Sequence, residues 1–236
     1  MADYRIREKA GWSYYCLPEL EKRGVTHGFF TKLSPSHRME GVERREFLEA
    51  FSLKDLVIMS QEHGDHVHVI DGEQRPAVGD GIVVLKRGIA AIIKTADCLP
   101  VILAEPEYPV AAIVHAGWRG TAKRIVGKAA RRLMDLGVNP KKIIAVLGPA
   151  IGACCYEVQK DVQDIFIAEG FSPCAIRQAD GSVTLNIKEA NKTTLKDEGI
   201  EQIHNMDFCT FCSGNLFHSY RRGEKDRRQI NFVSLQ

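Results

Sequence analysis

Eight short apolar runs dominate the first two thirds of the chain: VTHGFFT (25–31), DLVIMSQ (55–61), HVHVI (66–70), GIVVLK (81–86), IAAIIKT (89–95), LPVILA (99–104), VAAIVHA (110–116) and IIAVLGP (143–149). They are rich in β-branched residues and punctuated by Gly, Pro or Asp, so each predicts a strand. Several are apolar at almost every position. A sheet with one face in water would alternate; a sheet covered on both faces explains the pattern better.

Helical periodicity is clearest from Thr121 to Leu136. Ala122, Ile125, Val126, Ala129, Ala130, Leu133 and Leu136 fall three or four apart and make one apolar stripe, with Lys123, Arg124, Lys128, Arg131 and Arg132 on the other side. Gly137 and Pro140 then stop the helix. Further helices are predicted over 43–52, 158–169 and 187–197, the last capped by Asn186. Strands mixed with helices in this way predict an α/β fold, a large mixed sheet or two sheets under helices, in a single domain over 1–236.

The 236 residues carry 32 basic and 30 acidic side chains, a net charge of +2, which gives no mandate for nucleic acid. No apolar run approaches the roughly 20 residues a bilayer span needs. The charged start MADYRIREKAGWSYY lacks a secretory apolar region, so the expected location is the cytoplasm, with no membrane partner. Seven cysteines without a secretion signal point to metal binding or catalysis before a disulfide framework. The basic cluster HSYRRGEKDRR (218–228) reads as a solvated loop or an anion site.

Three residues with metal-binding chemistry stand at comparable places. His63 follows the strand ending at Gln61, Cys98 follows the one ending near Thr95, and His115 closes the strand Val110–Val114. Strand ends are rigid positions beside loops, where sites commonly lie. One thiolate and two imidazoles suit zinc and leave a fourth tetrahedral position for water or substrate. Read one at a time, each is equally a core cysteine or a hydrogen-bonded histidine. His66 and His68 read as surface or structural histidines. In HAGWRGT (115–121), Gly117 and Gly120 permit close backbone approach, the following helix start favours an anion, and Arg119 adds guanidinium donors. Cys154 and Cys155 of GPAIGACCYEV read as packing. CTFC (209–212) is a lone CxxC, redox-active or zinc-holding, with neither use favoured.

Taken in order, QEHG (61–64), TADCLPVIL (95–103), HAGWRG (115–120), LGPAIGACCYEV (147–158) and CTFC…LFHSYRR…RQINFV (209–233) resemble the YfiH/YlmD family, once called laccase-domain or polyphenol oxidase proteins, with the mammalian relative FAMIN. The likeness runs from about Thr26 to Val233. It implies an α-β-β-α sandwich related to the catalytic domain of cytotoxic necrotizing factor. It also implies Zn2+, or Cu2+ in its place, on His63, Cys98 and His115, the catalytic set. The implied activity is phosphorolysis of adenosine, inosine and methylthioadenosine, with adenosine deamination as a second activity. Purine nucleosides and phosphate are thus the expected partners. Gln61, Asp97, Arg119, Arg221, Arg222 and Arg228 are the candidate substrate contacts, with Asp97 orienting a ligand or donating a proton to the base. Where the family carries SYRRD and then Gly-Arg, this chain has Gly223 after the two arginines and Arg227–Arg228 in place of the pair.

Two other chemistries fit the same residues. Two histidines and a cysteine are also a blue-copper ligand set, although the eight histidines of the chain are few for a multicopper phenol oxidase. Without a metal, Cys98 would be a nucleophile with His115 as its base, in a hydrolase.

Overall fold

A computed structural model describes residues 4–34, 39–72 and 76–236. The strands are β1 (Arg5–Lys9), β2 (Trp12–Cys16), β3 (Val25–Phe30), β4 (Asp55–Ile58), β5 (Val67–Ile70), β6 (Gly81–Val84), β7 (Ile89–Thr95), β8 (Leu99–Glu105), β9 (Val110–Ala116), β10 (Ile144–Leu147), β11 (Glu157–Val158), β12 (Ala175–Arg177), β13 (Val183–Leu185), β14 (Gln202–Asn205) and β15 (Gln229–Leu235). The helices are α1 (Pro18–Lys22), α2 (Gly41–Phe51), α3 (Trp118–Ala122), α4 (Ile125–Asp135), α5 (Lys160–Ala168) and α6 (Ile187–Asp197). No described helix is long and apolar enough to cross a membrane.

All eight apolar runs form strands, β3 to β10; β7 and β9 keep the full run, β8 gains Glu105, and the others are shorter. They are divided between two six-stranded mixed sheets. One has the order β1-β2-β3-β15-β7-β4 and the other β14-β10-β8-β9-β6-β5. Most neighbours are antiparallel; β4/β7, β5/β6 and β10/β14 are parallel. A small third sheet, β11-β13-β12, stands apart.

The burial of both strand faces has a direct cause. Along β8, Ile102 packs toward the first sheet with Phe29, Val57 and Val233, while Val101 and Leu103 pack with Ile125, Ala129 and Leu133 of α4 and Leu195 of α6. Side chains two apart share a face, so a strand between a sheet and a helix layer must be apolar throughout. On the far side of the first sheet, Phe47 and Phe51 of α2 close over Tyr14, Phe30, Ile92 and Phe232. The layers are therefore helix, sheet, sheet, helix, in one continuous packed body.

Besides the unexpected α1 and β11 to β14, three features depart from the sequence reading. The helix expected from Thr121 to Leu136 is broken at Arg124, whose backbone is left-handed at φ 57°. The two pieces serve different contacts. A Cβ on Gly120 of α3 would sit 2.8 Å from the Gly64 carbonyl oxygen, so α3 is pressed against the turn after His63. The stripe of α4 instead lies on the second sheet. The hairpin β1-β2 was also missed, because its outer strand is charged and exposed. The third omission is β15, which forms the middle of the first sheet between β3 and β7. Gln229, Asn231 and Ser234 interrupt its apolar pattern, yet all three are buried. Asn231 Nδ2 donates to Thr95 Oγ1 at 3.0 Å, which pairs the amide nitrogen inside the sheet. The helix over 187–197 is as expected, and Asn186 Oδ1 accepts from the Glu189 N–H at 3.1 Å.

Phe232 meets Phe30, Phe47 and Phe51 with ring centroids 4.8–5.6 Å apart. Phe232→Ala is expected to cost about 3–5 kcal/mol. Asn186→Ala, which removes only a cap, should cost about 1 kcal/mol. Urea unfolding midpoints of the two variants check the ranking; equal losses would contradict it.

Candidate metal centre

The three expected ligands converge. One donor atom from each of His63, Cys98 and His115 lies within 4.8 Å of the other two. The β8/β9 ladder brings two of them together: Pro100 is opposite His115 and Leu99 opposite Ala116, so Cys98 at the mouth of β8 faces the end of β9. His63 arrives from the turn after β4, with a left-handed backbone at φ 57°. A Cβ on Gly117 would lie 3.2 Å from both Cys98 Sγ and the His63 ring, so a side chain there would press on both groups. The His63 and His115 rings are 4.8 Å apart and nearly perpendicular.

Asp80, which the sequence reading passed over, organises this arrangement. Its side chain is 1 % exposed. The carboxylate accepts from the backbone N–H of Glu62 (3.3 Å), His63 (3.1 Å) and Gly64 (2.7 Å), and from His115 Nδ1 at 2.7 Å. Its carbonyl oxygen accepts the His115 N–H at 2.7 Å. With Nδ1 committed, the His115 tautomer is fixed and Nε2 is left to face Cys98 and His63. Burial pushes the Asp80 carboxyl up, but His115 and the Gly64 and Glu62 N–H groups outweigh it and hold it below the usual range. The signal in the sequence was slight: a lone aspartate between two glycines ahead of GIVV.

The electrostatics couple the thiol to the imidazole. Burial would raise the Cys98 thiol, yet His115 first and His63 next bring it down to about 6. Burial would lower His115, yet the Cys98 sulfur and the Asp80 carboxylate hold it up at about 9. In the metal-free chain the two therefore form a thiolate–imidazolium pair near neutrality. A soft thiolate beside two imidazoles, one with its second nitrogen on a buried carboxylate, is a donor set that fits a divalent zinc or copper ion.

The centre forms one wall of a cavity of about 570 Å³, lined also by Gln61, Lys94, Asp97, Trp118, Arg119, Tyr156, Tyr220, Arg221 and Arg228. A larger hollow of about 910 Å³ lies elsewhere, around Lys54, Lys86 and Arg87, but no thiol or imidazole lines it.

Within the cavity the candidate contacts differ in how their polar groups are used. Arg119 lies over the Trp118 ring, 4.3 Å from its centroid. The Arg221 side chain donates to the Glu157 carbonyl at 2.9 Å and passes over Tyr156. Arg228 donates to the Lys225 and Arg227 carbonyls, both at 2.7 Å, and lies near Tyr220. Gln61 pairs both ends of its amide with the Lys94 backbone, at 2.8 Å each, extending the sheet edge by one side chain. The Asp97 carboxylate accepts from Thr210 Oγ1 (2.6 Å), Ser219 Oγ (3.0 Å) and the Arg221 N–H (2.7 Å). Its backbone is left-handed at φ 83°.

Arg222 departs from the expectation of a substrate contact. Its guanidinium donates to the carbonyls of Thr210, Phe211 and Phe217 and to Glu224, and it does not line the cavity. It holds together the loop that carries its neighbours. His68 bonds the Val78 carbonyl at 2.9 Å, and neither it nor His66 joins a metal-binding group among the described residues. Tyr156 and Tyr220 were not foreseen. Their place depends on the 148–158 and 219–228 loops folding over the centre.

Residues 36–236 match the family described as "Multi-copper polyphenol oxidoreductase laccase". A Deinococcus radiodurans protein named "Purine nucleoside phosphorylase" is 33% identical over 208 residues, covering 84% of this chain and 80% of the relative. The mouse "Purine nucleoside phosphorylase LACC1" is 29% identical over 206 residues, covering 84% of this chain; the chain spans 47% of that relative's length. The crystal structure of the Bacillus licheniformis hypothetical protein YfiH superimposes with a TM-score of 0.88 at 27% identity, over 100% of both chains.

Two outcomes are expected of the centre. Asp80→Asn should weaken zinc binding about 10- to 100-fold, measured by competition with a chromophoric chelator. The pH dependence has a definite sign. Between about pH 6 and 9 the metal-free pair keeps one proton, on His115, which an incoming ion must displace. Zinc affinity should therefore rise about tenfold per pH unit across that window, with a proton released on binding. A flat profile would contradict the coupled pair.

Proposed function

This chain belongs to the multi-copper polyphenol oxidoreductase laccase family, and within it we propose a purine nucleoside phosphorylase acting on adenosine, inosine and methylthioadenosine in the cytoplasm. The observation that supports this reading is one cavity with a thiolate–imidazole centre on one wall, three arginines around it and the aromatic rings of Trp118, Tyr156 and Tyr220.

Phosphorolysis breaks the bond between the anomeric carbon and the purine nitrogen and forms one from that carbon to a phosphate oxygen. Positive charge builds on the ribose and negative charge on the leaving base. The chain must hold the phosphate beside the anomeric carbon and keep water out. Arg119, Arg221 and Arg228 supply guanidinium donors for the phosphate. The aromatic rings offer faces for the base. Burial pushes the Tyr156 phenol up, so it keeps its proton and can donate a hydrogen bond. Asp97 acts here as a positioning residue, because its carboxylate anchors the Thr210 and Ser219–Arg221 segments. His63, Cys98 and His115 would hold zinc, or copper in its place, and Asp80 would keep His115 in the binding tautomer. When bound, the ion supplies a fixed positive charge that stabilises negative charge developing beside it.

Deamination of adenosine is proposed as a second activity of the same cavity; the HxE and PCxxC signature of the zinc deaminases is absent from the sequence. The thiolate–imidazolium pair of the metal-free chain favours a different second reading, in which Cys98 attacks as a nucleophile with His115 as its base. That reading also suits the expected kinship with the necrotizing-factor domain. Copper-dependent phenol oxidation is the remaining alternative, and an intense thiolate-to-copper absorption with stoichiometric copper would raise it.

Purified protein with inosine and phosphate should release hypoxanthine and ribose 1-phosphate, and release should cease without phosphate. Hypoxanthine that forms regardless of phosphate would sink the phosphorylase reading. Cys98→Ala should abolish turnover while nucleoside binding persists. Arg228→Ala should lower kcat/KM for phosphate by about 10- to 100-fold, the loss of one hydrogen bond to a charged group.

A further inference from the structure

The adjacent cysteines of GACCYEV and the CTFC pair lie far apart in sequence, and the fold brings all four together. The ligand atoms of Cys154, Cys155, Cys209 and Cys212 lie within 4.8 Å of one another. Cys154 Sγ is 3.8 Å from Cys212 Sγ, and Cys155 Sγ is 3.3 Å from it. This overturns the expectation that Cys154 and Cys155 pack in the core: Cys154 and Cys212 are exposed, and Cys155 and Cys209 half-buried. It also gives the lone CxxC the second pair of thiols that its sequence lacked.

We propose that these four cysteines form a second metal site, a closed all-thiolate centre for one zinc ion, separate from the His63–Cys98–His115 centre. Three independent features carry it. First, the spacing is that of a single ion. Sulfurs bound tetrahedrally at about 2.3 Å stand about 3.8 Å apart, close to the separations here. Second, the backbone around them is built. Gly152 to Cys155 is a tight turn closed by the Cys155 N–H to the Gly152 carbonyl at 2.9 Å, which sets two adjacent thiols toward the facing loop. A Cβ on Gly152 would lie 3.1 Å from Cys154 Sγ and 3.5 Å from Cys209 Sγ. Third, the Gly152 N–H donates to Cys209 Sγ at 3.2 Å, a bond that strengthens when the sulfur is a thiolate.

Four protein ligands leave no open position, so the ion is structural rather than catalytic. Its place defines what it holds. The Thr210 N–H bonds the Ala150 carbonyl at 3.0 Å, and Ala150 and Cys209 form an isolated parallel bridge. Thr210 then bonds Asp97, and the Ile151 N–H bonds the Asp97 carbonyl at 2.9 Å. An ion at the four sulfurs would clamp the 148–158 loop over the cavity to the 209–212 turn, whose Thr210 holds Asp97.

Elemental analysis of protein purified without added metal and reconstituted with zinc tests the assignment. About two equivalents per chain are expected. The double variant Cys154→Ser/Cys212→Ser should keep about one, and His63→Ala/His115→Ala should lose the other. Should the cysteine variant fail to fold, wild-type protein loaded with cadmium-113 gives the same answer by NMR: two resonances, one in the all-sulfur region. A single resonance outside that region would overturn the proposal. So would unchanged zinc in a folded cysteine variant, or disulfides among the four thiols in freshly purified, unreduced protein.

Discussion

The buried Asp80 carboxylate accepts three successive backbone N–H groups and one imidazole, and the geometry of the centre depends on that convergence. An ionised carboxylate in the core would be costly alone. Here the cost is offset by donors from both sides of the site: the turn that carries His63 and the strand end that carries His115. The left-handed backbone of His63 is one consequence, since that conformation lets its own N–H and its neighbours' point at one carboxylate. The orientation of His115 is another. At Gly120, α3 and the His63 turn approach too closely for a side chain, and at Gly64 and Gly117 the approach is tight.

The double sheet explains why such a centre can be rigid. Cys98 and His115 are fixed by the register of β8 and β9, strands buried on both faces between a sheet and a helix layer. Moving either would shift a packed ladder, whereas Tyr156, Tyr220, Arg221 and Arg228 across the cavity sit on loops. Polar groups tie those loops together: Asp97 gathers Thr210, Ser219 and the Arg221 N–H, and Arg222 gathers three carbonyls. A cavity with one rigid wall and one hydrogen-bonded wall suits chemistry in which a substrate must enter and then be enclosed.

Several polar residues have roles that their type does not announce. Gln61 completes a sheet edge, Asp97 anchors two loops, and Arg222 ties a third together. Each stands beside a residue that lines the cavity with its chemistry more available. Position in sequence therefore located the site to within a residue or two, but could not divide contact from support. The thiols show the same division: four cysteines in two motifs, read singly, gave no site, although their sulfurs share one small volume.

The sequence by itself determined the strands β3 to β10, their cover on both faces, and the candidacy of His63, Cys98 and His115, whereas the two-sheet layering was implied only by the family resemblance. Both-face apolarity and strand-end position are local signals, and they survive because burial is set by the side chains of each run. Only the tertiary structure decided that β15 runs through the middle of a sheet, since its buried Gln229 and Asn231 look like surface residues until the His218 backbone and Thr95 supply partners. The same holds for the role of Asp80 and for the meeting of the two cysteine pairs. Hydrogen bonds and metal geometry depend on atoms brought together across 16 to 136 residues of chain, and nothing in a local pattern records which distant group will arrive.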